Sequence, residues 1–307
     1  VVSLPSIAKE EPVEIEYKRI GGLSLRADVH GATGEAGRPV VVWIHGGGLI
    51  NGTKNWIGGG QVRELANRGY TVFSVDYRLA PETPLAELVQ DVEDAVEWVR
   101  GEGASRFGYN PDRLAVMGAS AGGYLTLLMG CRLDPPAQAL VAYYGYGNIV
   151  ADWYAKPDPF YLQQERVTEE EARGAVGKVE ISGATGAMAQ ERGKFYLYCR
   201  QQGVWPKEVA GLNPAEHPEF FQDFCPAMKV TPDYPPTLLL HGDADTDVPY
   251  SQSEEMAAAL ERAGVEHELL RVKGGPHGFD TRKGGLEDEE NRLLFERVAA
   301  FLEANLK

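Results

Sequence analysis

The 307-residue chain, 43% apolar, is long enough to bury a large core, and a single α/β domain carrying an insertion is expected. Its 45 acidic against 30 basic side chains leave a net charge of −15, which repels nucleic acid and anionic lipid and argues against both as partners. No apolar run is long enough to span a bilayer, and Cys131, Cys199 and Cys225 lack the C-x-x-C spacing of a zinc site and the even number of a disulfide framework.

The first twenty residues are interrupted by Pro5, Lys9, Glu10, Glu11 and Pro12, unlike a leader peptide, so a cytoplasmic location with free thiols is expected. Val13 to Arg19 and Leu23 to Val29 flank Gly21-Gly22 and predict an antiparallel hairpin. Val40 to Ile44 is a continuous β-branched and aromatic run, the pattern of a strand buried on both faces, and it ends in His45-Gly46-Gly47-Gly48. A helix over about 61–68 leads to a second buried strand, Thr71 to Val75, followed by Asp76-Tyr77-Arg78-Leu79-Ala80-Pro81-Glu82. Leu88, Val92, Ala95, Val96 and Val99 recur at helical spacing over 86–100. Arg113 to Met117 is the next strand, and it runs through Gly118-Ala119-Ser120-Ala121-Gly122 into a helix reaching about Cys131; Ala139 to Tyr144 is another strand. The pattern resumes with a strand at Thr237 to His241, a helix over 251–263, a strand at His267 to Val272 and a terminal helix over about 287–304. Strands alternating with helices predict a doubly wound, mostly parallel sheet with its crevice at the carboxyl ends of the strands.

Residues 146–234 exceed the usual connection of two to six residues many times over. They hold 13 of the chain's 29 aromatic residues, too many for a solvated linker, so a packed helical cap is expected. Within it, Thr168 to Glu171 has capping-box spacing, 187–202 reads as a helix and Pro206 opens another. The domain reading is therefore a catalytic core of residues 1–145 and 235–307 with residues 146–234 as the inserted cap.

G-x-S-x-G at a strand-to-helix corner is the pattern of a nucleophile elbow, with small residues on both sides of a tight turn that projects the Ser120 hydroxyl. A serine hydroxyl needs a base and a group to orient that base. Among His30, His45, His217, His241, His267 and His277, the last lies in a Gly-Pro loop beyond the final strand and has the chain order Ser, acid, His that this elbow uses. The acid belongs after the strand at Thr237 to His241, where Asp243, Asp245 and Asp247 are available; Asp245 is the expected one, with the other two as fallbacks and Asp152 as a less usual alternative. Backbone N–H groups of Gly47, Gly48 and Ala121 can supply an oxyanion hole, because glycine lets a carbonyl oxygen approach closely. The acidic loop lacks the ligand spacing of a calcium site, and neither G-x-G-x-x-G nor a phosphate-loop lysine occurs, so no metal and no cofactor are expected.

Taken with His277-Gly278-Phe279, these stretches resemble the α/β-hydrolase fold and the hormone-sensitive-lipase-like carboxylesterases, over about residues 13–305 apart from the cap. Two features depart from that family: Leu49 stands where an aromatic often follows H-G-G-G, and little chain precedes the first strand. The resemblance implies a cofactor-free serine esterase using Ser120, Asp245 and His277, acting on small-molecule esters of short to medium acyl chains. The same triad would serve an aminopeptidase, an acylaminopeptidase or a lactone hydrolase. A non-catalytic binding module is disfavoured because all three triad members are present. A homodimer stays open.

Overall fold

The computed structural model describes residues 11–307. Eight strands form one sheet: β1 (Val13–Ile20), β2 (Leu23–His30), β3 (Val40–Ile44), β4 (Thr71–Val75), β5 (Leu114–Ala119), β6 (Ala139–Tyr143), β7 (Thr237–Gly242) and β8 (His267–Val272). Their spatial order is β1-β2-β4-β3-β5-β6-β7-β8. The β1–β2 and β2–β4 pairs are antiparallel and every other pair is parallel. Between Glu16 and Lys18 the β1–β2 register shifts around Tyr17, whose hydroxyl donates to Asp76 O at 2.6 Å. The chain leaves β3 for β4 on one side and crosses back to β5 on the other, so the carboxyl ends of β3 and β5 flank a topological switch point.

Alternation along the strands fills two faces. Val40, Val42 and Ile44 of β3 join a core shared with α2 (Leu85–Trp98), α3 (Ala121–Met129) and α8 (Ser251–Ala263). Val41 and Trp43 face the opposite layer, with α1 (Gln61–Asn67) and α9 (Glu289–Asn305). All five β3 residues are buried, which explains why the run carries no polar alternation. Each fully buried Val, Leu or Ile contributes roughly 1.5–3 kcal/mol, so these central strands anchor the loops at their ends.

Between β6 and β7 the insertion folds into one long helix, α5 (Gly186–Gln202), and shorter ones that include α4 (Glu169–Gly174), α6 (Trp205–Ala210) and α7 (Pro218–Gln222). Thr168 and Glu171 form the capping box of α4. Much of the aromatic content serves adhesion: Tyr154 stacks on Trp205 at 4.1 Å, and Tyr146 bridges them to Tyr124 of α3, stacked at 4.8 Å. Cys199 and Cys225 are buried free thiols. Among the described residues no helix is long and apolar enough to cross a membrane.

Candidate active site

Ser120 stands between β5 and α3 with φ 57° and ψ −121°, so the helix begins one residue after it. A side chain forced to positive φ costs about 1–3 kcal/mol, and the surroundings hold it there. Its N–H donates to Tyr143 O at 2.9 Å. The flanking glycines are steric necessities: a Cβ on Gly122 would lie 2.0 Å from Ile44 O, and one on Gly118 would lie 2.5 Å from Gly122 O. The turn thus packs directly on the backbone of β3, the strand that leads into the glycine loop.

The Ser120 hydroxyl donates to His277 Nε2 at 3.0 Å, and His277 Nδ1–H donates to Asp245 Oδ2 at 2.7 Å. The Asp245 side chain is fully buried; its other oxygen accepts the N–H groups of Asp247 (2.8 Å) and Val248 (2.9 Å). Burial works against its charge, but hydrogen bonds from His241 and His277 outweigh that and hold its carboxyl well below the usual range. The Tyr144 ring packs edge-on to the imidazole at 4.7 Å, and its hydroxyl donates to buried Asp280 at 2.5 Å. Burial also lowers the basicity of His277, yet the carboxylates of Asp247 and Asp245 prevail and raise its pKa above 6.5.

Gly47 and Gly48, with φ 113° and 62°, carry the chain off β3 beside this group. Among the described residues the N–H groups of Gly47, Gly48 and Ala121 donate to no protein acceptor, the last because it opens α3. A cavity of about 500 Å³ opens over Ser120, lined by Trp43, Trp56, Ile57, Tyr196 and Asp247 among others. The inserted helices grip the glycine loop. Trp205 Nε1 donates to Gly48 O at 2.9 Å, Asn51 Nδ2 to Ala189 O at 2.7 Å, and buried Arg192 donates to Ile50 O, Ala80 O and Glu82.

Residues 28–260 match the BD-FAE family. The chain belongs to that family, an α/β-hydrolase family. It is 28% identical over 250 residues to esterase LipC of Mycobacterium tuberculosis, covering 80% of this chain and 54% of that protein. The chain therefore spans about half the length of LipC, and a far smaller share of the fungal non-reducing polyketide synthases that it also matches. Two solved structures share the fold. An α/β-hydrolase superfamily protein from Enterococcus faecalis superposes with TM-score 0.72 at 21% identity over 95% of this chain and 98% of that one. Thermogutta terrifontis esterase 2 phosphoramylated by tabun does so with TM-score 0.68 at 19% identity, over 99% and 97%.

In this BD-FAE chain the remaining sequence candidates lie apart from Ser120 or in supporting positions. Asp243 pairs with Arg271 at 2.8 Å at the surface, and Asp152 is exposed and pairs with Lys156. His45 is buried against Tyr77, its rings stacked at 4.3 Å, and burial lowers its pKa to about 4. His241 accepts from Ser253 Oγ at 2.7 Å and lies 3.3 Å from Asp245 Oδ2, a strand-closing residue that also steadies the acid. His217 is exposed before α7, while His267 contacts Val265 O and His30 ends β2, paired with Val72 of β4. Asp247, offered as a fallback acid, faces the cavity instead: its Oδ2 is 3.5 Å from His277 Nε2. Tyr144, Arg192, Arg200 and Asp280 carry no motif of their own. Only Asp280, directly after His277-Gly278-Phe279, had a nearby signal.

Proposed function

We propose that the chain is a serine carboxylester hydrolase working through an acyl-enzyme, with Ser120 as nucleophile, His277 as base and then acid, and Asp245 as its orienting carboxylate. The observation that carries this is the continuous hydrogen-bond path from Ser120 Oγ through His277 to Asp245, at 3.0 and 2.7 Å. His277 takes the serine proton as Oγ attacks the ester carbonyl, and the N–H groups of Gly47, Gly48 and Ala121 receive the charge that develops on oxygen. The imidazolium, stabilised by buried Asp245, returns the proton to the leaving alcohol, and water then enters by the same base catalysis to release the acid. Residues 146–234 act as a cap whose inner wall shapes a cavity of about 500 Å³, in keeping with short to medium acyl groups on small-molecule esters.

Membership of the family and the likeness to LipC, which is named an esterase, support the reaction class. The tabun-modified Thermogutta neighbour suggests the probe. Ser120→Ala is expected to keep its fold by circular dichroism while losing hydrolysis of a chromogenic short-chain ester and labelling by a fluorophosphonate. Undiminished turnover or labelling in that variant rejects the assignment. A panel varying acyl length, with one lactone and one amide, ranks ester against lactonase and peptidase activity.

A further inference from the structure

Asp247 is a carboxylate held at the reacting centre with one oxygen unspent. Its Oδ1 accepts from Tyr161 (2.7 Å), Tyr196 (2.6 Å) and Arg200 (2.6 Å). Among the described residues nothing donates to Oδ2, which lies 3.5 Å from His277 Nε2, and the residue lines the cavity over Ser120. Arg200 does not cancel this charge alone. It is fully buried in a cage of Trp153, Tyr154, Tyr161 and Tyr196, and it also binds Asp158 at 2.7 Å, so one cation is shared by two carboxylates. Among the described residues no lysine or arginine lines the cavity, whereas the rings of Trp43, Trp56, Tyr144 and Tyr196 do. A fixed, partly desolvated carboxylate beside aromatic surface attracts a cation more strongly than a solvated one does.

We infer that Asp247 selects esters whose leaving alcohol carries a protonated amine two carbons from the ester oxygen, the ammonium N–H donating to Oδ2. The position follows from the mechanism. His277 Nε2 returns the proton to the leaving oxygen, so a carboxylate oxygen next to Nε2 lies beside the alcohol portion. Tyr161, Tyr196 and Arg200 hold the acceptor in place before substrate arrives, which limits the entropy lost on binding. This inference rests on the serine-esterase reading above.

The test compares kcat/KM for 2-(dimethylamino)ethyl acetate and 3-methylbutyl acetate, which differ by nitrogen in place of carbon, at about pH 7.5, where the amine is largely protonated. The wild-type protein is expected to prefer the amine ester by about tenfold or more, the scale of one charge-assisted hydrogen bond, and Asp247→Asn to lower that ratio by about tenfold, leaving only the activation that the ammonium gives its own ester. Because the ratio is taken within each protein, a general loss of activity in the variant leaves it unchanged. Equal rates in the wild type, or a ratio that survives Asp247→Asn, overturns the inference. Should that variant fail to fold, competition in the wild type decides: 2-(dimethylamino)ethanol is expected to inhibit at least several-fold better than 3-methylbutanol, and parity overturns the inference. Ser120→Ala keeps the two readings separable. Loss of both hydrolyses in that variant with no amine preference in the wild type removes only the selectivity, whereas retained hydrolysis removes the serine mechanism.

Discussion

His277 is pulled in two directions, and the balance sets the pH range in which the site can work. Burial favours the neutral ring, while Asp247 first and Asp245 next favour the charged one, and the carboxylates win. In the proposed mechanism only neutral imidazole accepts the Ser120 proton, so kcat/KM for a neutral ester is expected to fall as pH drops through a value above 6.5. Removing the Asp247 charge with Asp247→Asn moves that acid limb to lower pH; a pH–rate profile unchanged by the substitution contradicts the assigned cause. Gly122 offers a packing test at the same scale. With a Cβ held 2.0 Å from Ile44 O, Gly122→Ala must push β3 from the elbow, at an expected cost of about 3 kcal/mol or more. Thermal unfolding of the variant measures it, and an unshifted midpoint excludes the contact. The sequence pattern called for small residues at 118 and 122 but did not say what they avoid. The obstacles are backbone oxygens, one of them on a strand about eighty residues away.

At the scale of elements, α5 clamps the glycine loop to the insertion. Arg192 reaches Ile50 O, Ala80 O and Glu82, and both side chains of the ion pair are buried, at 2% and 1% exposure. Removing one partner of such a pair leaves the other charge uncompensated and typically costs about 3–5 kcal/mol. Arg192→Met is therefore expected to lower the urea midpoint markedly and to reduce kcat more than KM changes, because the loop carrying Gly47 and Gly48 loses its brace. If stability falls while kcat holds, the clamp is structural only. Asp76 to Glu82 was legible as a motif and α5 as a helix, but their meeting was not. Residues 82 and 192 are joined by folding across the crevice, and no local periodicity records that contact.

For the whole molecule, acid stability follows from carboxylates that are ionised and paired in the fold. Burial opposes the charge on Glu82, but Arg192 and the Gly177 N–H more than compensate, so its folded pKa lies below 4.5. A depressed folded pKa contributes stability above the unfolded value that is lost as pH falls through the folded one; Asp245 acts in the same sense. His277, raised above 6.5, contributes in the opposite window, and its share is lost as pH rises. The urea midpoint is thus expected to drop below about pH 4.5, and Glu82→Gln to flatten that drop while lowering the plateau. A plateau that continues unchanged into strong acid refutes the pairing. The net charge of −15 adds a long-range effect: KM for a cationic ester is expected to rise with added salt while that of its neutral isostere stays constant.

By itself the sequence determined the strand order along the chain, the elbow at Ser120, the glycine loop and the loop bearing His277, because these depend on local periodicity and on backbone freedom that only certain residues allow. The helical content between β6 and β7 was legible too, since loops longer than about 12–15 residues without structure of their own are uncommon. Which of three aspartates faces the imidazole was decided in three dimensions. The strand-end turn buries Asp245 under backbone donors, turns Asp243 outward to Arg271, and swings Asp247 to Arg200. The character of the cavity wall was decided there as well. Its charge arises from Asp247 after β7 meeting Tyr161, Tyr196 and Arg200 from the stretch between β6 and β7, side chains tens of residues apart whose combined field exists only once that stretch has packed beside the strand ends.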